Sequence, residues 1–304
     1  MLALLCAFLL SVSAAADEER WPTTITVRFV LHHEKSVLPK GYAAGLDAVH
    51  RALAKRLRDL SPWMDTEKIH IYLHASRESY LRSRYKPPAT TYGLAVYPRK
   101  ASEPRRLVIS QDVKLDVVAH ELSHLLFNSF MGEGKHRSPR WVDEGLATIA
   151  QVDNSAPGGA AVLRLRPFGP HPPMAQLMNS LPDYQQSQAS VGEWYALVGS
   201  IVLFLKEGQP RSPQYFVRFC KALRDGQDQV EALRQIYGLN TPEALEKAWT
   251  AWRASAPAPK NVQKAPAGQS GEPEGEFIFK MPKEKKVREE GVQVDEGARA
   301  PLLR

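Results

Sequence analysis

The sequence predicts an α+β fold, with an N-terminal mixed sheet followed by a mostly helical C-terminal part. Three observations carry this expectation. Short runs rich in β-branched and aromatic residues cluster before residue 110. One amphipathic run of helical period separates the first two of them. From residue 116 onward, apolar residues recur every three or four positions. Strands first and helices afterwards is the α+β pattern.

The elements follow in order. Residues 24–31, Thr-Ile-Thr-Val-Arg-Phe-Val-Leu, read as one strand. Residues 41–60 place Leu46, Val49, Leu53 and Leu57 on one helix face, and Pro62 ends that helix. Residues 68–74 alternate, with Ile69, Ile71 and Leu73 on one side, as a second strand. Ser76 can cap a short helix carrying Tyr80 and Leu81. Residues 92–97 and 106–110 give two further strands. Helices are expected at 116–130, 141–151, 191–206, 213–224, 227–237 and 241–253. Residues 153–173, with Gly158-Gly159 and Pro170 to Pro173, read as a loop.

The two ends differ from this body. Leu2 through Val12 is an apolar run that closes on Ser13-Ala14-Ala15-Ala16, the pattern of a cleaved export signal over residues 1–16. A secreted or periplasmic location follows from it. From Ser255 to Arg304 the chain is rich in Pro and Gly and mixes charges without apolar period, so disorder is expected there. Residues 17–254 remain as the folded domain, divided into a sheet-rich part at 17–130 and a helical part at 131–254. The net charge of +7 is spread thinly along it, without a basic run interleaved with aromatics. No nucleic-acid partner is therefore expected. Two cysteines exclude a disulfide scaffold, and no run of eighteen apolar residues marks a membrane span. Oligomeric state is not legible in the sequence.

The chemistry is concentrated at His120-Glu121-Leu122-Ser123-His124, an H-E-x-x-H segment inside a predicted helix. Residues four apart share a helix face, so both imidazoles can meet one metal ion. Glu121 can take the proton of a metal-activated water as that water attacks a carbonyl. A catalytic zinc site needs a third protein ligand. A third histidine six residues beyond the second is absent, because Phe130 stands there. Glu144, in Trp141-Val142-Asp143-Glu144-Gly145-Leu146-Ala147, is available on the next helix. An antiparallel helix pair would return it to the histidines.

These two segments resemble the gluzincin metallopeptidases, the clan of thermolysin and the zinc aminopeptidases. The nearest likeness is to bacterial peptidase-MA-like proteins, over about residues 65–254. The resemblance implies a zincin-like fold and Zn2+ held by His120, His124 and Glu144. It implies Glu121 as general base and a peptide or protein substrate. Related enzymes add a tyrosine or histidine that stabilises the oxyanion. Tyr195, at the start of an apolar helix, is the first choice, with His171 and Tyr184 behind it. A buried packing role for Tyr195 weighs equally. The aminopeptidase segment Gly-x-Met-Glu-Asn has no counterpart between Lys86 and Ala119, which favours an endopeptidase.

Other residues carry weaker signals. Asp143 and Asp116 could orient a ligand histidine, although helix capping or solvation is the commoner role. His32, His33, His50, His70, His74 and His136 read as structural or exposed, and Cys220 as a small core residue. Gly93, in a candidate edge strand, would permit close approach of a peptide. A non-catalytic zincin-fold binding protein of the cell envelope is the competing reading.

Overall fold

The structure is a computed structural model and describes residues 18–35, 37–87, 91–98, 103–132, 138–156, 158–181 and 187–256. The export signal, His136, Tyr184 and nearly all of the C-terminal segment lie outside the described residues.

Five strands form one mixed sheet: β1 (Thr23–Ile25), β2 (Phe29–His33), β3 (Ile69–His74), β4 (Gly93–Val96) and β5 (Arg106–Ser110). Their spatial order is β1-β2-β3-β5-β4. β2, β3 and β5 are parallel, while β1 and β4 run antiparallel at the two edges. The crossover from β2 to β3 is helix α1 (Tyr42–Leu57), and a short helix α2 (Arg77–Leu81) follows β3. Ser76 caps α2 by accepting the Ser79 N–H at 3.2 Å. The sheet thus precedes the helical region, and the α+β expectation holds.

Two sequence expectations need correction. Residues 24–31 are not one strand: the chain turns at Thr26 to make the β1–β2 hairpin. The Thr26 hydroxyl accepts the N–H groups of Arg28 and Phe29 and donates to Asp47, fixing the turn. β-Branched residues conceal that turn, and the result is unusual exposure of Ile25 (68%) and Val27 (71%). Residues 153–173 are likewise more than a loop. The helix before them continues to Ser155, and two short helices follow, α5 (Ala161–Leu165) and α6 (Met174–Leu177). Asp153 organises that bend by accepting the Ala160 N–H at 2.7 Å and pairing with Arg56 at 2.8 Å.

Both sheet faces are used. Phe29, Leu31, Ile69, Ile71, Leu73, Leu107 and Ile109 point into the main core, against α1 and the later helices. On the other face Tyr72, Tyr80 and Val108 make a small cluster with Trp21, Leu81 and Tyr85. The later helices are α3 (Leu115–Met131), α4 (Arg140–Ser155), α7 (Gln188–Glu207), α8 (Ser212–Arg224), α9 (Gln229–Tyr237) and α10 (Pro242–Ala254). By length and apolarity, residues 189–207 of α7 could cross a membrane, although no uninterrupted run of eighteen apolar residues marks them. Two-thirds of that stretch is buried within the fold, as in the central helix of a packed core.

Candidate metal centre

Helix α3 is amphipathic in a particular way. Val118, Leu122, Leu125 and Leu126 are fully buried, which fixes the helix rotation. His120 and His124 then share another face, one turn apart, and remain only half-buried. Helix α4 begins after Pro139 and is anchored by buried Trp141, whose indole N–H donates to Gln229 at 2.8 Å. It runs back along α3. Asp143 meets Asn128 and His124, and Glu144 meets His124 and His120.

Three ligand atoms converge. His120 Nε2 and His124 Nε2 lie 3.2 Å apart. Glu144 Oε2 lies 3.5 Å from the first and 3.4 Å from the second. Bonds of about 2.0–2.1 Å around a tetrahedral ion require ligand atoms about 3.3 Å apart. The triangle therefore has the size of one face of such a tetrahedron. His120, His124 and Glu144 could together hold a metal ion. Glu144 Oε2 is buried without a hydrogen-bond partner, a costly position that a cation would relieve.

The surroundings are polarised to match. Asp143 is 3% exposed, and its Oδ1 accepts from His124 Nδ1 at 2.8 Å. That contact leaves Nε2 of His124 facing the cluster. Asn128, one turn beyond His124, donates to both Asp143 oxygens at 3.2 and 3.1 Å and to the His124 carbonyl at 3.1 Å. Burial disfavours a charged His124, but Asp143 and Glu144 outweigh it and hold its pKa well above the usual value. Burial also opposes the Glu144 charge. The two imidazoles, His120 and His124, prevail at 3.5 and 3.4 Å and hold that carboxylate well below its usual range.

Two close approaches set the remaining parts. Gly145 lets α7 pack directly on α4: a Cβ there would fall 2.8 Å from the Val198 carbonyl oxygen and inside contact distance of Val202. Gly199 does the same from α7, where a Cβ would fall 2.9 Å from Thr148 Cγ2. The contact brings Tyr195 to His120, with ring centroids 6.0 Å apart and edge-to-face. Tyr195 is 9% exposed and also packs against Trp194. On the opposite side, edge strand β4 crosses α3. Gly93 abuts Glu121, and the Tyr97 hydroxyl donates to the His124 carbonyl at 3.3 Å.

The fold therefore gathers His120, Glu121, His124, Glu144, Asp143 and Tyr195 into one region. It separates off His171, which contacts Trp249 and Glu246 on α10. The Asp116 carboxylate accepts the Val117 N–H in the first turn of α3. His50 Nε2 donates to the Met64 carbonyl, 2.9 Å away, and His32 lies 3.0 Å from His70 across the sheet. Cys220 is fully buried, and burial pushes its thiol up to about 12, so it is inert as a nucleophile. Asn128 and Tyr97 were not singled out from the sequence. Asn128 stands four residues after His124, and that helical spacing was the available signal.

Compared with known proteins, the chain matches no family model and no curated protein.

Proposed function

We propose that this chain is an exported zinc-dependent metallopeptidase of zincin-like fold and gluzincin type. The carrying observation is the 3.2–3.5 Å triangle of two imidazole nitrogens and one carboxylate oxygen, with Glu121 adjacent to it in sequence. Two histidines and one glutamate are a donor set that suits zinc in a catalytic site with an open position. When bound, zinc would act as a Lewis acid and lower the pKa of a water toward ~7.

The chain's own residues divide the remaining work. Glu121 takes the proton of the attacking water and passes it to the departing amine. The Tyr195 hydroxyl donates to the oxyanion that forms on the scissile carbonyl. Asp143 is a positioning residue that fixes the His124 ring, and Asn128 fixes Asp143. The outer edge of β4 offers backbone groups that an extended peptide can pair with. An internal stretch of polypeptide fits such an edge, so endopeptidase action is favoured over aminopeptidase action.

Cleavage of a peptide library by the full chain tests this reading. The native protein should cleave peptides in a chelator-sensitive way, and Glu121→Gln should keep its metal and lose turnover. Metal without any cleavage would favour the binding protein of the cell envelope. Equal turnover by Glu121→Gln would refute the assigned base.

A further inference from the structure

We infer that Gly93 is a positioning residue: its missing side chain is the slot in which the Glu121 carboxylate is held. The inference rests on the peptidase reading for its catalytic consequence, and on geometry alone for the slot.

A glycine in a strand usually answers a backbone demand. Here none exists, because Gly93 is not among the residues of positive φ, and its conformation suits any residue. The demand is spatial. A Cβ at this position would fall 2.7 Å from Glu121 Cγ and 3.0 Å from Glu121 Cδ. Retreat is closed on the other side, where Ile109 Cγ2 would be 3.1 Å away. Ile109 is fully buried and paired with Gly93 in the β4–β5 register, so it cannot yield. The face of β4 turned to α3 reads Gly93, Ala95, Tyr97 by strand period. Its one residue without a side chain stands opposite the one carboxylate that must move a proton.

The slot also explains how Glu121 stays in place although no ion pair among the described residues holds it. Glu144, His120 and His124 are tied to one another, whereas Glu121 occupies the space that a side chain at residue 93 would fill. Adding one methyl at residue 93 must rotate the Glu121 side chain or lift β4 from α3. A displacement of about 1 Å at a catalytic group costs on the order of 100-fold in rate.

Gly93→Ala in the full chain tests this by three measurements. First, kcat should fall about 100-fold with metal content unchanged, since the three atoms nearest the slot belong to Glu121 and Ile109. Second, Gly93→Ala should cause no further loss in the Glu121→Gln background, because the two act on one group. Third, Gly93→Ala should lower Tm, and Glu121→Ala should restore part of that loss in the double variant by emptying the slot. The third measurement needs no activity and applies even if the native protein cleaves nothing, so it separates failure of the slot from failure of the peptidase reading. Unchanged kcat and Tm in Gly93→Ala, or Tm losses that simply add in the double variant, would overturn the inference. If Gly93→Ala alone does not fold, recovery of folding in Gly93→Ala/Glu121→Ala supports it, and its absence overturns it.

Discussion

Replacing Gly145 by alanine should destabilise the protein, although alanine is the better helix former. In an open helix the exchange would stabilise by about 1 kcal/mol. Here a Cβ would lie 2.8 Å from the Val198 carbonyl oxygen, which belongs to the α7 backbone and cannot rotate away. A non-bonded carbon and carbonyl oxygen rest about 3.3–3.6 Å apart, so α4 and α7 must part by roughly 0.5–0.8 Å. Overpacking of this kind costs about 1–3 kcal/mol, and the backbone contact puts it toward the upper end. Less the propensity gain, a net loss of about 1–2 kcal/mol follows. That is roughly 3–6 °C in Tm for a domain of this size. Gly45→Ala is the comparison, since the atom met there is the far end of the half-buried Leu115 side chain, which can swing aside. Thermal unfolding of both variants checks the reasoning. A Tm for Gly145→Ala at or above that of the native protein would refute it, and a larger loss from Gly45→Ala would refute the distinction between backbone and side-chain neighbours.

Three further outcomes are expected. Asp143→Asn should weaken metal binding by about 10- to 100-fold, because the His124 ring loses the carboxylate that orients it, and a competition titration with a chelator reads this directly. Metal uptake near neutral pH should release about one proton per ion, because Asp143 and Glu144 hold His124 protonated in the metal-free site, and calorimetry in buffers of different ionisation heat measures it. Stability should fall as pH drops from 6.5 to 5. Burial lowers His74 to about 4, so the unfolded chain binds the proton that the native state refuses. His74 alone accounts for about 1.5 kcal/mol over that interval, and His32, lowered to about 4 by burial and by the neighbouring His70, adds in the same direction. A flat denaturation midpoint between pH 6.5 and 5 would contradict this.

The sequence was most legible where one periodicity acted alone. The helical spacing of His120 and His124 and the tryptophan-led segment around Glu144 located the three residues that could hold a metal ion. The structure then added the second coordinate, the antiparallel return of α4 that brings Asp143 to 2.8 Å from His124. What stayed hidden was hidden for physical reasons. The Thr26 turn is made by a hydroxyl accepting two backbone N–H groups, in a residue type that also favours strands. The bend after Ser155 is made by Asp153 reaching seven residues ahead to the Ala160 N–H, which no local pattern announces. Gly93, Gly145 and Gly199 have significance only through what packs against them, and those neighbours are remote in sequence.

The metal itself is the most direct test. The purified full chain should carry one equivalent of zinc, and its X-ray absorption spectrum should show two imidazole nitrogens and one carboxylate among the ligands. The ion should be lost from His120→Ala, His124→Ala and Glu144→Ala and kept in Glu121→Gln. A chain without zinc after purification and after zinc is added back, or one that holds zinc equally well without His120 and His124, would contradict the assignment of this centre.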